Sequence, residues 1–123
     1  MRRAGIWMVT LLGLFGCSSD ADRLGVGAEC TKTEDCAETD PPLQCLTSFK
    51  GGYCGLTGCT SNADCPDPSI CVTHSDGSNY CFRSCQDKSE CNANRSAEQE
   101  ANCSSNITRV DGGNQKACVP PSG

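Results

Sequence analysis

The chain has 123 residues, of which 13 are cysteine, and it carries 10 basic and 15 acidic residues for a net charge of −5. This acidic balance argues against nucleic acid and anionic lipid head groups as partners. Its large apolar residues are too few for burial alone to offset the entropy lost on folding, so covalent cross-links must hold the fold.

Residues 1–16 have the order of a secretory signal. Arg2 and Arg3 give a basic start, residues 6–15 carry no charge, and the small Gly16 precedes Cys17. A helix of about ten residues rises about 15 Å, half of the roughly 30 Å hydrocarbon core, so this segment is too short to span a bilayer. The sequence therefore predicts a signal peptide that is removed.

The cleavage site, Leu14-Phe15-Gly16-Cys17, resembles the lipobox of bacterial lipoproteins, although Phe15 is larger than the residue usual there. The resemblance implies that the Cys17 sulfur is acylated, as with palmitate, and that the new amino terminus is acylated too. The alternative is an ordinary cysteine near an ordinary cleavage site, but Cys17 is the odd one beside six pairs. Ser18, rather than an aspartate, follows the cysteine, and this arrangement resembles that of Gram-negative lipoproteins that leave the inner membrane. We therefore predict a bacterial envelope protein whose lipid holds it at the membrane, favouring the outer membrane.

The other twelve cysteines repeat as three quartets in which five residues always separate the first cysteine from the second. The residue before the second cysteine is acidic each time, and tyrosine precedes the fourth in two quartets. A lipid anchor and flexible leader is predicted over 17–28, followed by modules over 29–54, 55–81 and 82–123, the last including the tail. The quartets are Cys30, Cys36, Cys45, Cys54; Cys59, Cys65, Cys71, Cys81; and Cys85, Cys91, Cys103, Cys118.

Each module combines a helix-start pattern with a hairpin pattern. Pairs with capping-box spacing lie inside each five-residue gap: Thr31 with Glu34, Ser61 with Asp64, and Asp87 with Glu90. Between the third and fourth cysteines, β-favouring runs adjoin glycine turns: 43–49 before Gly51-Gly52, 70–73 before Asp76-Gly77, and 107–110 before Gly112-Gly113. The predicted fold class is small and disulfide-rich, with three tandem cysteine-rich modules, each a short helical turn plus a two-stranded β-hairpin, and little regular secondary structure.

The helical turn constrains the disulfide pairing. Six positions along a helix span about 9 Å, beyond the roughly 7 Å limit for bridged Cα atoms, so the first and second cysteines should not bond each other. One bridge to each hairpin strand favours first-to-third and second-to-fourth pairing. Nested pairing and pairing across modules stay alternatives. The favoured pairs are Cys30 with Cys45, Cys36 with Cys54, Cys59 with Cys71, Cys65 with Cys81, Cys85 with Cys103, and Cys91 with Cys118.

The cysteine spacing, the acid before each second cysteine, and the endings Gly52-Tyr53-Cys54 and Asn79-Tyr80-Cys81 resemble tandem cysteine-rich repeats of lipoproteins from myxobacteria and their relatives. More distantly they are similar to Dickkopf amino-terminal and EGF-like modules. The resemblance covers 30–118. It implies a scaffold whose variable loops carry recognition, and it implies no particular activity.

Few residues in the sequence suggest catalysis or metal binding. His74 adjoins Ser75 and Asp76, but consecutive residues do not converge on one reacting atom as a triad requires, so a solvated turn is predicted. No Cys-x-x-Cys occurs, and zinc would need thiolates in a compartment that oxidises them. The acidic residues lack EF-hand spacing. We therefore expect no catalytic residue, no metal site and no cofactor, hence no enzyme.

The leading functional prediction is a non-enzymatic binding or structural module at the cell surface or facing the periplasm, with a protein or an envelope polymer as partner. The leader, 18–28, would hold it clear of the membrane. The alternative is a disulfide-braced protease inhibitor whose loop, Thr47–Gly52, presents Phe49 and Lys50. The simpler interpretation of that loop is that Phe49 packs on Tyr53 and Lys50 is solvated.

Overall fold

The computed structural model describes residues 25–121. They form a small cysteine-rich fold with six disulfides, little helix and mostly antiparallel strands. No helix within this range has the length and apolar character needed to cross a membrane. The predicted signal peptide, the predicted lipid site at Cys17 and the first part of the leader lie outside the described residues.

The strands are short, as expected of a chain that turns at frequent glycines. They are β1 (Gln44–Cys45), β2 (Cys54–Thr57), β3 (Ser69–Thr73), β4 (Asn79–Cys85), β5 (Asn102–Ser104), β6 (Thr108–Arg109) and β7 (Lys116–Val119). The helical elements span one turn each. They are 3-10 turns at Thr33–Asp35, Asn62–Asp64 and Ala97–Gln99, and an α-helix, α1, at Lys88–Cys91.

Strand β4 is the centre of the sheet because three strands pair with it. β3 runs antiparallel to residues 79–83 of β4. β2 pairs with β4 where Leu56 faces Cys81, and β7 pairs with it where Lys116 faces Cys85. These pairings connect strands from all three quartets in one sheet. The segments that link the quartets, 55–58 and 82–84, are thus largely strand rather than free linker, and their backbone pairing restrains hinging between quartets.

The third predicted hairpin is wrong. The run 107–110 was expected to pair across the turn at Gly112-Gly113, but β7 pairs with β4 on one edge and with β5 on the other. With both edges of β7 occupied, β6 pairs instead with the edge of β3, where Val72 faces Arg109. The third quartet's run therefore completes the second quartet's hairpin.

The acid before each second cysteine caps the short turn of its quartet. Asp35 accepts hydrogen bonds from the backbone N–H of Thr31 at 2.9 Å and from its hydroxyl at 3.0 Å. Asp64 does the same with Thr60 at 2.9 and 3.0 Å. Glu90 accepts from the N–H groups of Gln86 and Asp87 at 2.6 and 3.1 Å. In the first quartet the capping carboxylate belongs to Asp35 and not to the predicted Glu34. Asp35 also accepts the N–H of Lys32.

These caps predict a loss of stability in acid. Backbone hydrogen bonds, chiefly from Thr31, Thr60 and Gln86, hold the pKa of Asp35, Asp64 and Glu90 respectively below the ordinary range. A lowered folded-state pKa contributes stability that is complete above the unfolded pKa, near 4, and is lost as the pH falls through the folded value.

We expect the melting temperature of the oxidised protein to fall between about pH 6 and about pH 2, and to fall less in an Asp64→Asn variant. The measurement is thermal unfolding followed by circular dichroism across that range. Glu38→Gln is the control, because Glu38 is exposed and its carboxylate accepts no hydrogen bond among the described residues. An equal acid-induced drop in the Asp64 variant and the wild type would show that the caps do not cause it.

The main core is a cluster of aromatic side chains backed by disulfides. Phe49 contacts Tyr53, Tyr80 and Phe82 edge-on, with ring centroids 5.1 to 6.1 Å apart. Tyr80 and Phe82 lie with their planes 3° apart. Such pairs add to the burial of apolar area, and here they join the first quartet to the strand that serves all three.

The end of the predicted leader belongs to this core. Val26 and Ala28 are 3% and 2% exposed. The N–H of Gly27 donates to the carbonyl of Cys54, and the N–H of Cys54 donates to the carbonyl of Ala28. Residues 26–28 therefore lie along the first quartet like an added strand segment, so the predicted flexible leader does not extend this far.

Candidate functional site

The disulfides set the framework on which any site is built. Every bridge closes within one quartet and joins first to third or second to fourth cysteines, with Cα atoms 5.3 to 6.0 Å apart. No bridge among the described residues crosses between quartets. The six pairs are Cys30–Cys45, Cys36–Cys54, Cys59–Cys71, Cys65–Cys81, Cys85–Cys103 and Cys91–Cys118.

The two bridges of a quartet lie side by side. Sulfur atoms of its first, second and fourth cysteines are all within 4.8 Å of one another, as for Cys30, Cys36 and Cys54. Because these sulfurs are bonded to other sulfurs, none is a thiolate, the form that binds zinc. The proximity is therefore a packing consequence of two adjacent bridges.

His74 lies against the aromatic core instead of in a fully solvated turn. Its ring centroid is 5.5 Å from those of both Phe49 and Phe82, and the side chain is partly buried. The nearby Asp76 carboxylate accepts hydrogen bonds from the Tyr80 hydroxyl at 2.6 Å and from the Ser78 N–H at 2.9 Å, which lower the pKa of Asp76. Asp76 thus orients Tyr80, and His74 is a packing residue.

The loop proposed as inhibitory, Thr47–Gly52, turns its aromatic residue inward. Phe49 is 5% exposed and packs on Tyr53, as the simpler interpretation predicted, while Lys50 is exposed. The backbone is also engaged, because the Lys50 N–H donates to the carbonyl of Pro121 and the Gly51 carbonyl accepts from Cys30. A loop that fills an enzyme cleft must project its anchor side chain outward, and here the small Thr47 and Ser48 and the charged Lys50 are exposed while Phe49 is not.

Arg95 joins two quartets, a structural role that the sequence did not predict. It is 8% exposed, and its guanidinium donates to the carbonyls of Gln99, Gly27, Gly52 and Lys50 at 2.5, 3.3, 2.8 and 2.9 Å. Burial lowers the pKa of Arg95. The third quartet has eleven residues, 92–102, between its second and third cysteines, against eight and five in the other two, and this difference in length is its signal in the sequence. That segment carries the arginine that fastens the third quartet to the first.

Tyr53 makes a second link between quartets. Its fully buried hydroxyl donates to the carbonyl of Cys118 at 2.8 Å and accepts the N–H of Arg83 at 3.0 Å. Burial raises the pKa of Tyr53 well above its ordinary value. The Arg95 guanidinium also lies 5.8 Å from the Tyr53 ring centroid, in cation–π range. The tyrosine before the fourth cysteine is thus a junction residue.

A concave surface feature beside the central strand is the candidate binding site. It is a cleft of about 680 Å³, which we call the Arg83 cleft, at the edge where β4 meets β7. Its volume lies within the range of ordinary ligand pockets. Its charged residues are Arg83, Glu90 and Lys116. The remaining lining residues are Pro68, Ser84, Cys85, Gln86, Asn114 and Gln115.

No protein-family model matches this chain, and it has no significant match among curated proteins or solved structures. The similarity of its repeats to those of myxobacterial lipoproteins and to Dickkopf and EGF-like modules therefore stays a prediction from cysteine spacing. Its function has to be argued from its own residues.

Proposed function

We propose that the chain is a lipid-anchored, disulfide-rich lipoprotein of the bacterial envelope that acts as a non-enzymatic binding or structural module. The observation that supports this most is the set of six disulfides, which bridge all twelve cysteines of the quartets. Disulfides persist in oxidising compartments outside the cytosol, where the lipobox-like sequence at Cys17 would deliver the chain. The favoured location is the outer membrane.

The three quartets act, in this proposal, as repeated modules over 29–54, 55–81 and 82–123, each a short helical turn with a pair of strands, and in the third module the pair is β5 and β7. The acid-capped turn and the crossed pair of bridges recur in each. The Arg95 and Tyr53 contacts join the modules, so the chain would present one composite surface rather than three separate binding loops. Its partner would be another protein or an envelope polymer.

The proposal includes the absence of catalysis, which the placement of His74 in the aromatic core supports. The alternative function, protease inhibition, is tested by incubating the oxidised protein with a panel of serine proteases. We expect full protease activity at a several-fold molar excess of the protein. Stoichiometric inhibition of any protease would favour the inhibitor instead.

Anchoring is tested at Cys17. A Cys17→Ser variant is expected to lose incorporation of radiolabelled palmitate and to accumulate uncleaved, because the acyl chains are carried by the sulfur and cleavage follows acylation. Label incorporation, apparent mass and membrane fractionation measure the result. Ser19→Ala is the control and should be labelled normally. A Cys17→Ser protein that is still labelled and membrane-bound would overturn the lipoprotein proposal.

Partner binding is tested by affinity capture from envelope extracts on the oxidised protein, with reduced and alkylated protein as the control. A partner that requires the composite surface should be retained only by the oxidised form, since reduction removes the cross-links that hold that surface. Equal capture by both forms would show that the folded surface is not what binds.

A further inference from the structure

The Arg83 cleft combines two cations, Arg83 and Lys116, that form no ion pair with an acid of the described residues. Among residues 25–121 the ion pair within 4.0 Å joins Lys88 to Glu100, at 3.0 Å, and involves neither Arg83 nor Lys116. Arg95, by contrast, is satisfied by carbonyls, and Arg109 donates to the carbonyl of Gln115. On a chain of net negative charge, a cleft lined by two such cations is a local exception that favours an anionic ligand.

The guanidinium of Arg83 also has an unmet hydrogen bond. Its Nε is buried and has no partner among the described residues. A buried donor without an acceptor is destabilising, and more so when it is charged. The stem is held in place at Gly27, since a Cβ at that glycine would lie 3.4 Å from Arg83 Cβ and 3.6 Å from Cδ. The stem and Nε of Arg83 are therefore enclosed beside Gly27, and the two terminal nitrogens, which bond no described residue, are the donors left for the cleft.

The charges that line the cleft indicate which kind of anion it would bind. Glu90 lines the same cleft, but its Oε1 is already occupied by the N–H groups of Gln86 and Asp87. Those bonds lower the pKa of Glu90, so its carboxylate keeps a negative charge in the cleft that Arg83 and Lys116 also line. Two positive charges and one negative leave a surplus of one, and a single negative charge balances it.

We propose that the Arg83 cleft binds a carboxylate carried on a peptide, with Arg83 and Lys116 as its two cationic contacts. The inference deepens the proposed function as a binding module and rests on it. The two terminal nitrogens of an arginine form a planar pair of donors that matches the two oxygens of a carboxylate, and Lys116 adds a point charge.

The rest of the cleft fits the rest of such a ligand. A volume of about 680 Å³ far exceeds a carboxylate and accommodates a few residues of peptide. The amides of Gln86, Asn114 and Gln115 can both donate to and accept from peptide groups. A phosphate dianion would exceed the surplus charge and would lie near Glu90, so the cleft should prefer the monoanion.

The test is an NMR titration of the oxidised chain carrying Cys17→Ser. The arginine Nε–H signals are followed as N-acetyl-trialanine, its carboxyl-terminal amide, or N-acetyl-Ala-Glu-Ala amide is added. We expect the Arg83 Nε–H signal to shift saturably with at least one of the two carboxylate peptides and not with the trialanine amide. The two acids separate a chain terminus from a glutamate side chain as the source of the carboxylate.

Arg83→Lys keeps the charge but removes the fork, and it should weaken binding about tenfold or more, as judged from the shifts of backbone amides lining the cleft. Lys50→Gln removes one exposed positive charge away from the cleft and should leave affinity unchanged. Equal binding of the trialanine amide, tighter binding of inorganic phosphate than of either acid, or an unaltered affinity in Arg83→Lys would overturn the proposal.

The carboxylate site and the binding-module function can be overturned separately. If neither acid shifts Arg83 while wild type and Arg83→Lys capture the same envelope partner, the carboxylate site is wrong and the binding-module function stands. If the peptides bind but oxidised and reduced protein capture the same material from extracts, the carboxylate site stands and the proposed use of the folded surface is wrong.

Discussion

Replacing Arg95 by methionine is expected to lower the free energy of unfolding of the oxidised protein by about 3 kcal/mol or more. Methionine fills similar space but leaves the carbonyls of Gly27, Gly52 and Lys50 without the donor that joins them. These groups are buried at the contact between the first and third quartets, so water does not readily replace the guanidinium. Chemical denaturation followed by tyrosine fluorescence measures the change.

Arg109→Met is the matched control. Arg109 also donates to two carbonyls, those of Gln115 and Ser105, but these bonds are at the exposed surface. Its loss should cost less than about 1 kcal/mol. Arg95→Lys adds a second comparison, because it keeps the charge yet cannot make the forked set of bonds, and it should recover only part of the stability. Equal losses for Arg95→Met and Arg109→Met would contradict the role assigned to Arg95.

Removing one disulfide should have an effect at least as large. Replacing both Cys36 and Cys54 by alanine is expected to lower the free energy of unfolding by about 3 kcal/mol through the entropy of the unfolded chain, plus a further loss from packing. The packing loss arises because Cys54 is fully buried and Cys36 is 6% exposed, both within the aromatic core cluster.

The bridge between Cys85 and Cys103 provides the comparison, because both bridges join cysteines 18 positions apart. The chain-entropy contribution is therefore the same for the two. Cys103 is only partly buried and lies in a smaller cluster, so the double alanine variant there should lose less stability. Thermal unfolding of both variants measures the difference. A larger loss at Cys85–Cys103 would show that core packing does not decide what a bridge contributes.

The local features of this fold could be predicted from the sequence for a physical reason. The hairpin from Ser69 to Cys85 and the crossed pairs are both set within 27 residues or fewer of chain. Over such spans, cysteine spacing and glycine turns leave few geometries. The acids at 35, 64 and 90 were visible as a repeated position, although the sequence misassigned the first cap to Glu34.

The long-range features could not be predicted in this way. β6 pairs with β3 because the edges of β7 are occupied, and that depends on how distant segments meet. Arg95 reaches carbonyls up to 68 positions away, and nothing in the residues around it indicates those partners. The polar neighbours of His74 in the sequence predict a solvated side chain. In the structure its ring packs on Phe49, which belongs to another quartet. The Arg83 cleft arises from the same long-range assembly.

The central claim is that each quartet is closed by its own crossed pair of bridges, and a disulfide map tests it most directly. The unreduced protein is denatured, its chain is cleaved after Leu56 and after Arg83, and the products are weighed before and after reduction. The account predicts three separate masses without reductant, containing residues 30–54, 59–81 and 85–118, with Cys30 assigned to Cys45 and Cys36 to Cys54 in the first. Fragments that stay joined until reductant is added would contradict it, as would a nested pair linking Cys30 to Cys54.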